Sequence, residues 1–184
     1  VEQVGAELAL LHRLAQRPVG GGDDAHVHAQ RLRAAHAHDL PLLERAQQLL
    51  EKFIVKNPNH VEALASLGYI AVEQGRLAEA EPLLKNVLRL DAENTAALYD
   101  YARLAIKLRD YAEGARRLET VVGRDKLHTQ AYYQLFLAYS RLNQTDKAQQ
   151  ALAAFKRLEA LEKQSQEEKI LDEKLRTQQI LGRQ

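Results

Sequence analysis

Four histidines near the start of the chain, His26, His28, His36 and His38, form two His-x-His pairs ten residues apart. Neutral imidazoles are common metal ligands, so this constellation is the first to weigh for chemistry. On a helix, residues i and i+2 point about 200° apart, so neither pair can chelate an ion from one continuous helix. No cysteine or suitably spaced carboxylate completes a site. The four histidines are therefore weak metal candidates, set against an ordinary polar surface. Glu79, Glu81, Glu113 and Glu119 stand close in sequence to Lys85, Arg116 and Arg117, a pattern of ion pairing on helix surfaces rather than of acid–base catalysis. Gly20, Gly21 and Gly22 lack the Lys and the Ser or Thr of a phosphate loop. No catalytic group, resident metal or cofactor is expected, and the chain reads as a non-enzyme.

Composition narrows the classes further. With 184 residues, 46% hydrophobic and 28% charged, the chain can bury one core and is expected to form one elongated domain. A formal net charge of +1 lacks the electrostatic footprint of a nucleic-acid binder. Cysteine is absent, which removes disulfides and thiolate chemistry and suits either a cytoplasmic or a secreted location. Methionine is absent even at position 1, so a processed, internal or trimmed portion of a translation product is expected. No apolar run reaches the 18 or so residues of a membrane span.

The elements that would position any site come from a repeat. From Val61, two blocks of 34 residues follow without insertion and a third begins at Thr129. Superposed, they align Leu67, Tyr101 and Leu135, then Gly68, Ala102 and Phe136, then Ala71, Ala105 and Tyr139. Further columns hold Ala80, Gly114 and Ala148; Leu84, Leu118 and Leu152; and Val87, Val121 and Phe155. Each block reads as two antiparallel helices joined at Gln74-Gly75-Arg76, Leu108-Arg109-Asp110 and Asn143-Gln144-Thr145. Thr95 and Thr129 are expected to cap helix starts with their hydroxyls. Gly114 costs about 1 kcal/mol of helix propensity against Ala, for which close helix approach would compensate. A helix pair cannot bury both its apolar faces alone, whereas stacked pairs can.

The same register extends backward and forward. Ala46, Leu50, Phe53 and Pro58 fall in the columns of Ala80, Leu84, Val87 and Ala92, so Leu42 to Lys56 reads as the second helix of an earlier, degenerate repeat. Val4, Leu8, Leu11 and Leu14 give a short amphipathic helix that Pro18 and the glycines end. From Asp146 to Ile180 there is no Pro or Gly, which predicts a helix of roughly 50 Å. Its later apolar stripe, Ile170, Leu171, Leu175 and Ile180, is either solvated or covered by a partner. The resulting organisation is an N-terminal helix and Gly-rich break over 1–26, a degenerate repeat over 27–60, repeats over 61–94, 95–128 and 129–162, and a helical extension over 163–184.

Leu64, Leu67, Gly68, Ala71, Ala80 and Leu84, with Tyr132, Leu135, Tyr139, Ala148 and Phe155 in the last block, sit at spacings that resemble the tetratricopeptide repeat. The resemblance covers roughly residues 40 to 158, and departs from the family pattern where Leu64 replaces an aromatic and where Ala92 and Lys126 replace a turn proline. It implies an all-α, right-handed solenoid of stacked antiparallel helix pairs, ending in the long C-terminal helix. It also implies a concave face lined from the inner helices. The positions that correspond are Tyr69 and Val72, then Tyr99, Arg103, Ile106 and Lys107, then Tyr133, Leu137 and Arg141.

That row of tyrosines with a basic flank would suit a peptide bearing apolar and acidic side chains. The alternative is that the tyrosines pack between neighbouring repeats. The positions with which chaperone-binding relatives clamp a terminal carboxylate are here Ala65, Tyr69, Asp100, Gln130 and Gln134, which do not suit that ligand. The expected function is a protein-interaction scaffold with a protein or peptide partner. Two other readings are a subunit that self-associates through its repeat ends or final helix, and a docking part of a larger enzyme.

Overall fold

The computed structural model describes residues 40–181, and side chains over 44–174 and at 176. The first amphipathic segment, the histidines His26, His28, His36 and His38, and residues 27–39 of the degenerate repeat lie outside the described residues. So do the side chains of Leu175 and Ile180.

Seven helices and no strand occur among the described residues: α1 Leu40–Lys56, α2 Val61–Glu73, α3 Leu77–Leu90, α4 Thr95–Lys107, α5 Tyr111–Arg124, α6 Thr129–Arg141 and α7 Thr145–Leu181. They fall into two compact units divided within α5, after Arg117.

The helix boundaries repeat because their local chemistry repeats. His60, Asn94 and His128 precede α2, α4 and α6, and their side chains accept from the backbone N–H of Ala63, Ala97 and Ala131 at 3.3, 3.0 and 3.3 Å. The caps therefore sit one residue before Thr95 and Thr129, which are the first helical residues. From there the Thr95 hydroxyl turns backward to the carbonyl of Glu93 at 3.5 Å, and that of Thr129 lies 3.3 Å from the carbonyl of Leu127. An acceptor three residues ahead of an orphan N–H reaches it, and a residue already in the helix does not.

At the other ends, Gly75, Arg109 and Asn143 take left-handed φ values of 73°, 65° and 56°. Each lets two N–H groups turn back on the helix, as in Arg76 to Ala71 at 2.8 Å and Gly75 to Val72 at 3.2 Å. Asp110 to Ala105 and Gln144 to Tyr139 repeat the longer bond at 2.8 and 3.0 Å. Glycine and asparagine enter this region readily, whereas arginine does so at a cost of about 1 kcal/mol.

In the first unit the core gathers Leu64, Ala71, Val72, Ala80, Leu84, Val87, Ala97 and Leu104. Close approach explains two glycines. A Cβ on Gly68 would stand 2.7 Å from a terminal methyl of Leu84, and one on Gly114 would stand 2.8 Å from Ile106 and 3.2 Å from the carbonyl of Ala102. A second cluster joins Ala46 of α1 to Tyr69 and Ile70 of α2, with Leu50 against it.

In the second unit Leu118 and Val121 are fully buried, as are Ala131 and Ala138 of α6, while Leu135 is nearly so. The long helix α7 packs on α6 through buried Ala148 and Ala151, with Leu152, Phe155 and Leu158 half-buried. Beyond Leu158 every described residue of α7 is exposed. A hydrogen bond from the Thr129 hydroxyl to Glu162 ties the helix to the start of α6. At 37 residues, α7 is about 55 Å long.

Candidate functional site

On the inner helices of the first unit the charges are arranged around Arg103. Its guanidinium lies 2.6 Å from Glu73 of α2 and 3.5 Å from Asp100, one turn earlier on α4. The same group rests over the Tyr99 ring, 5.8 Å from its centroid. The Arg103 side chain is only 17% exposed and that of Asp100 3%. Burial alone would lower the Arg103 pKa, but the carboxylates of Asp100 and Glu73 more than reverse this and hold it above its ordinary value.

The expected site residues of this unit therefore divide. Val72 belongs to the core, Tyr69 packs with Ala46 and Ile70, and Tyr99 is buried beneath Arg103. All three take the packing alternative and are withdrawn from solvent. Arg103, expected as part of a basic flank, is engaged with Glu73, Asp100 and the Tyr99 ring. Ile106 is half-buried beside Gly114, and Lys107 is exposed at the end of α4.

The second unit differs. Tyr133 is 40% exposed, and its ring leans on Phe155 of α7 at 5.3 Å and on Phe136 at 6.3 Å between centroids. Leu137, one turn further along α6, is half-buried, and Arg141 is exposed at the helix end. An aromatic ring fixed by two others yet open to water offers contact area with little ordering entropy left to lose.

Other groups serve the framework. The Tyr139 hydroxyl donates to Glu119, and Lys147 lies 5.2 Å from the Tyr139 ring centroid and 3.7 Å from Glu119. Burial, followed by donation to that carboxylate, raises the Tyr139 pKa. Glu113 takes Arg116 at 2.8 Å and Arg117 at 2.6 Å, Glu81 takes Lys85 at 2.7 Å, and Glu79 pairs with Arg76. Hydrogen bonding from Arg116 is the largest influence on Glu113 and holds its pKa below the ordinary value. These outer carboxylates are thus engaged in surface pairs. Among the described residues no group of three or more His, Asp or Glu side chains could hold a metal ion. No helix among them is long and apolar enough to cross a membrane.

Sequence reasoning missed the Arg103 cluster. Its signal was present: an acid at the thirteenth position of one block and a base at the ninth position of the next face each other across neighbouring inner helices.

Two family models, both described as tetratricopeptide repeat, match residues 24–95 and 71–135. The chain belongs to the tetratricopeptide repeat family. Its fold is that family's all-α architecture, and solved structures share it. MamA from Desulfovibrio magneticus RS-1, residues 41 to the end, is 25% identical over 76% of this chain and 77% of its own, with a TM-score of 0.59. A MamA of strain AMB-1 is 18% identical over 88% of this chain and 91% of its own, with a TM-score of 0.54. YrrB, described as a TPR protein with an unusual peptide-binding site, is 21% identical over 71% of this chain and 65% of its own, with a TM-score of 0.58. No curated protein matches. Membership of this family makes the tetratricopeptide array a scaffold for protein interactions.

Proposed function

We propose that this chain is a non-enzymatic adaptor that captures a peptide or protein segment on the faces of its inner helices. The observation that carries this reading is Tyr133, a large aromatic side chain 40% exposed and braced by Phe136 and Phe155. Leu137 and Arg141 extend the same helix with apolar and cationic contacts. Aromatic anchors set among aliphatic neighbours are the residues that dominate binding energies at interfaces.

The experiment is Tyr133→Ala with Leu137→Ala in the full chain. A partner is first isolated on immobilised wild-type protein and identified. The double variant is expected to keep its helicity and lose at least tenfold in affinity for that partner. Undiminished affinity in a folded variant would sink the reading.

A second reading has its own support. Leu161, Ile170 and Leu171 of α7 are about half-exposed, at 49%, 52% and 58%, and large apolar side chains left open on a long helix would suit contact with a second copy of the chain. Light scattering across a concentration series separates the two, since self-association raises the mass with concentration.

A further inference from the structure

The cation that should have given the first unit its affinity for acidic partners, Arg103, is held by Glu73 and Asp100. Two cations without a partner among the described residues lie at the turn that follows. Lys107 closes α4, and Arg109 occupies the turn to α5; neither makes an ion pair or side-chain hydrogen bond among the described residues. Between them Leu108 is 52% exposed. The neighbouring acid, Asp110, accepts from the N–H of Glu113 at 3.1 Å and keeps its negative charge, which leaves the three charged residues of this edge with one positive charge in excess.

The conformation of Arg109 is the second, independent observation. Its φ of 65° matches that of Gly75 and Asn143 at the equivalent turns, and those two types suit the left-handed region whereas arginine does not. Glycine or asparagine would take this conformation with less strain than arginine. Lys107 can be explained by the carbonyl-rich end of α4, where a cation is favoured. Arg109 lies outside the helix in a strained turn, so that account does not reach it.

We infer that the edge formed by Lys107, Leu108 and Arg109 is a docking element for an acidic peptide segment that carries an apolar residue between its carboxylates. The two cations take the carboxylates and Leu108 takes the apolar side chain. This rests on the protein-binding reading above and names the partner's chemistry for the first unit. Arginine in place of glycine is then a sacrifice of stability for recognition.

The test uses the full chain and a short labelled peptide of Asp-Leu-Asp triplets spaced by Gly-Ser, with an Asn-Leu-Asn peptide as control, read by fluorescence anisotropy. The acidic peptide is expected to bind about tenfold tighter than the control and to weaken as salt is raised. Lys107→Gln with Arg109→Gly should remove most of that preference. Arg109→Gly alone should raise the melting temperature by about 2–4 °C while weakening binding roughly threefold. Equal binding of both peptides, or an acidic preference that survives the double variant, overturns the inference and leaves the Tyr133 reading standing. If neither peptide binds, the inference also fails, and the Tyr133 variants judge the scaffold reading separately.

Discussion

Tyr99 and Tyr133 occupy the same position in successive repeats, and they have opposite fates. Tyr99 is buried under Arg103, whose guanidinium is fixed by Glu73 and Asp100. One period later Asp100 and Arg103 correspond to Gln134 and Leu137, so α6 itself offers no ion pair to cover Tyr133. Tyr133 stays open. The comparison teaches that a repeat position sets the direction of a side chain, while its neighbours decide whether it stabilises the array or meets a partner.

Truncating the two tyrosines should separate their roles most strongly. Tyr99→Ala should cost about 3–5 kcal/mol and Tyr133→Ala about 1 kcal/mol in urea unfolding, because only the first leaves a cavity in packed surroundings. Similar losses at both would mean that the two tyrosines are equivalent after all. Next, Arg103→Met should cost about 3 kcal/mol by leaving Asp100 buried without its cation. Adding Asp100→Asn and Glu73→Gln should restore most of that loss, whereas a purely steric role for Arg103 predicts no recovery.

Two glycines sharpen the packing side. Gly68→Ala should destabilise by about 1–2 kcal/mol, since the new methyl meets Leu84 at 2.7 Å. Gly123 has nothing within 4 Å of its missing Cβ, so Gly123→Ala should stabilise by about 0.5–1 kcal/mol. Thermal melts with opposite shifts check the pair.

The smallest effect concerns acid. The folded-state pKa of Glu113 is depressed, so its contribution is present above the ordinary carboxylate value and fades as pH falls through the lowered one. Glu113→Gln should flatten the acid limb of the stability curve slightly. A limb of unchanged steepness would show that the pairs with Arg116 and Arg117 add nothing in solution.

Much of this was legible in the sequence. Period, helix pairing, the turns at Gly75, Arg109 and Asn143, the close approaches at Gly68 and Gly114 and the unbroken final helix all follow from residue types at fixed spacing. What escaped depends on the far ends of side chains. The caps moved to His60, Asn94 and His128 because reach, rather than hydroxyl chemistry, selects the acceptor. The candidate site differs most, since the packing of Tyr69 on Ala46 and the reach of Arg103 to Glu73 arise between residues on different helices.

The reach of α7 past Leu158 has a dynamic consequence. Its exposed length carries local pairs such as Lys163 with Glu167 at 4.0 Å and Gln164 with Glu168 at 3.3 Å. Amides there can open turn by turn without disturbing the core of the second unit, while those near Ala148 and Ala151 open only with it. One continuous helix should therefore show two hydrogen-exchange regimes, with protection falling away past the Thr129–Glu162 tether.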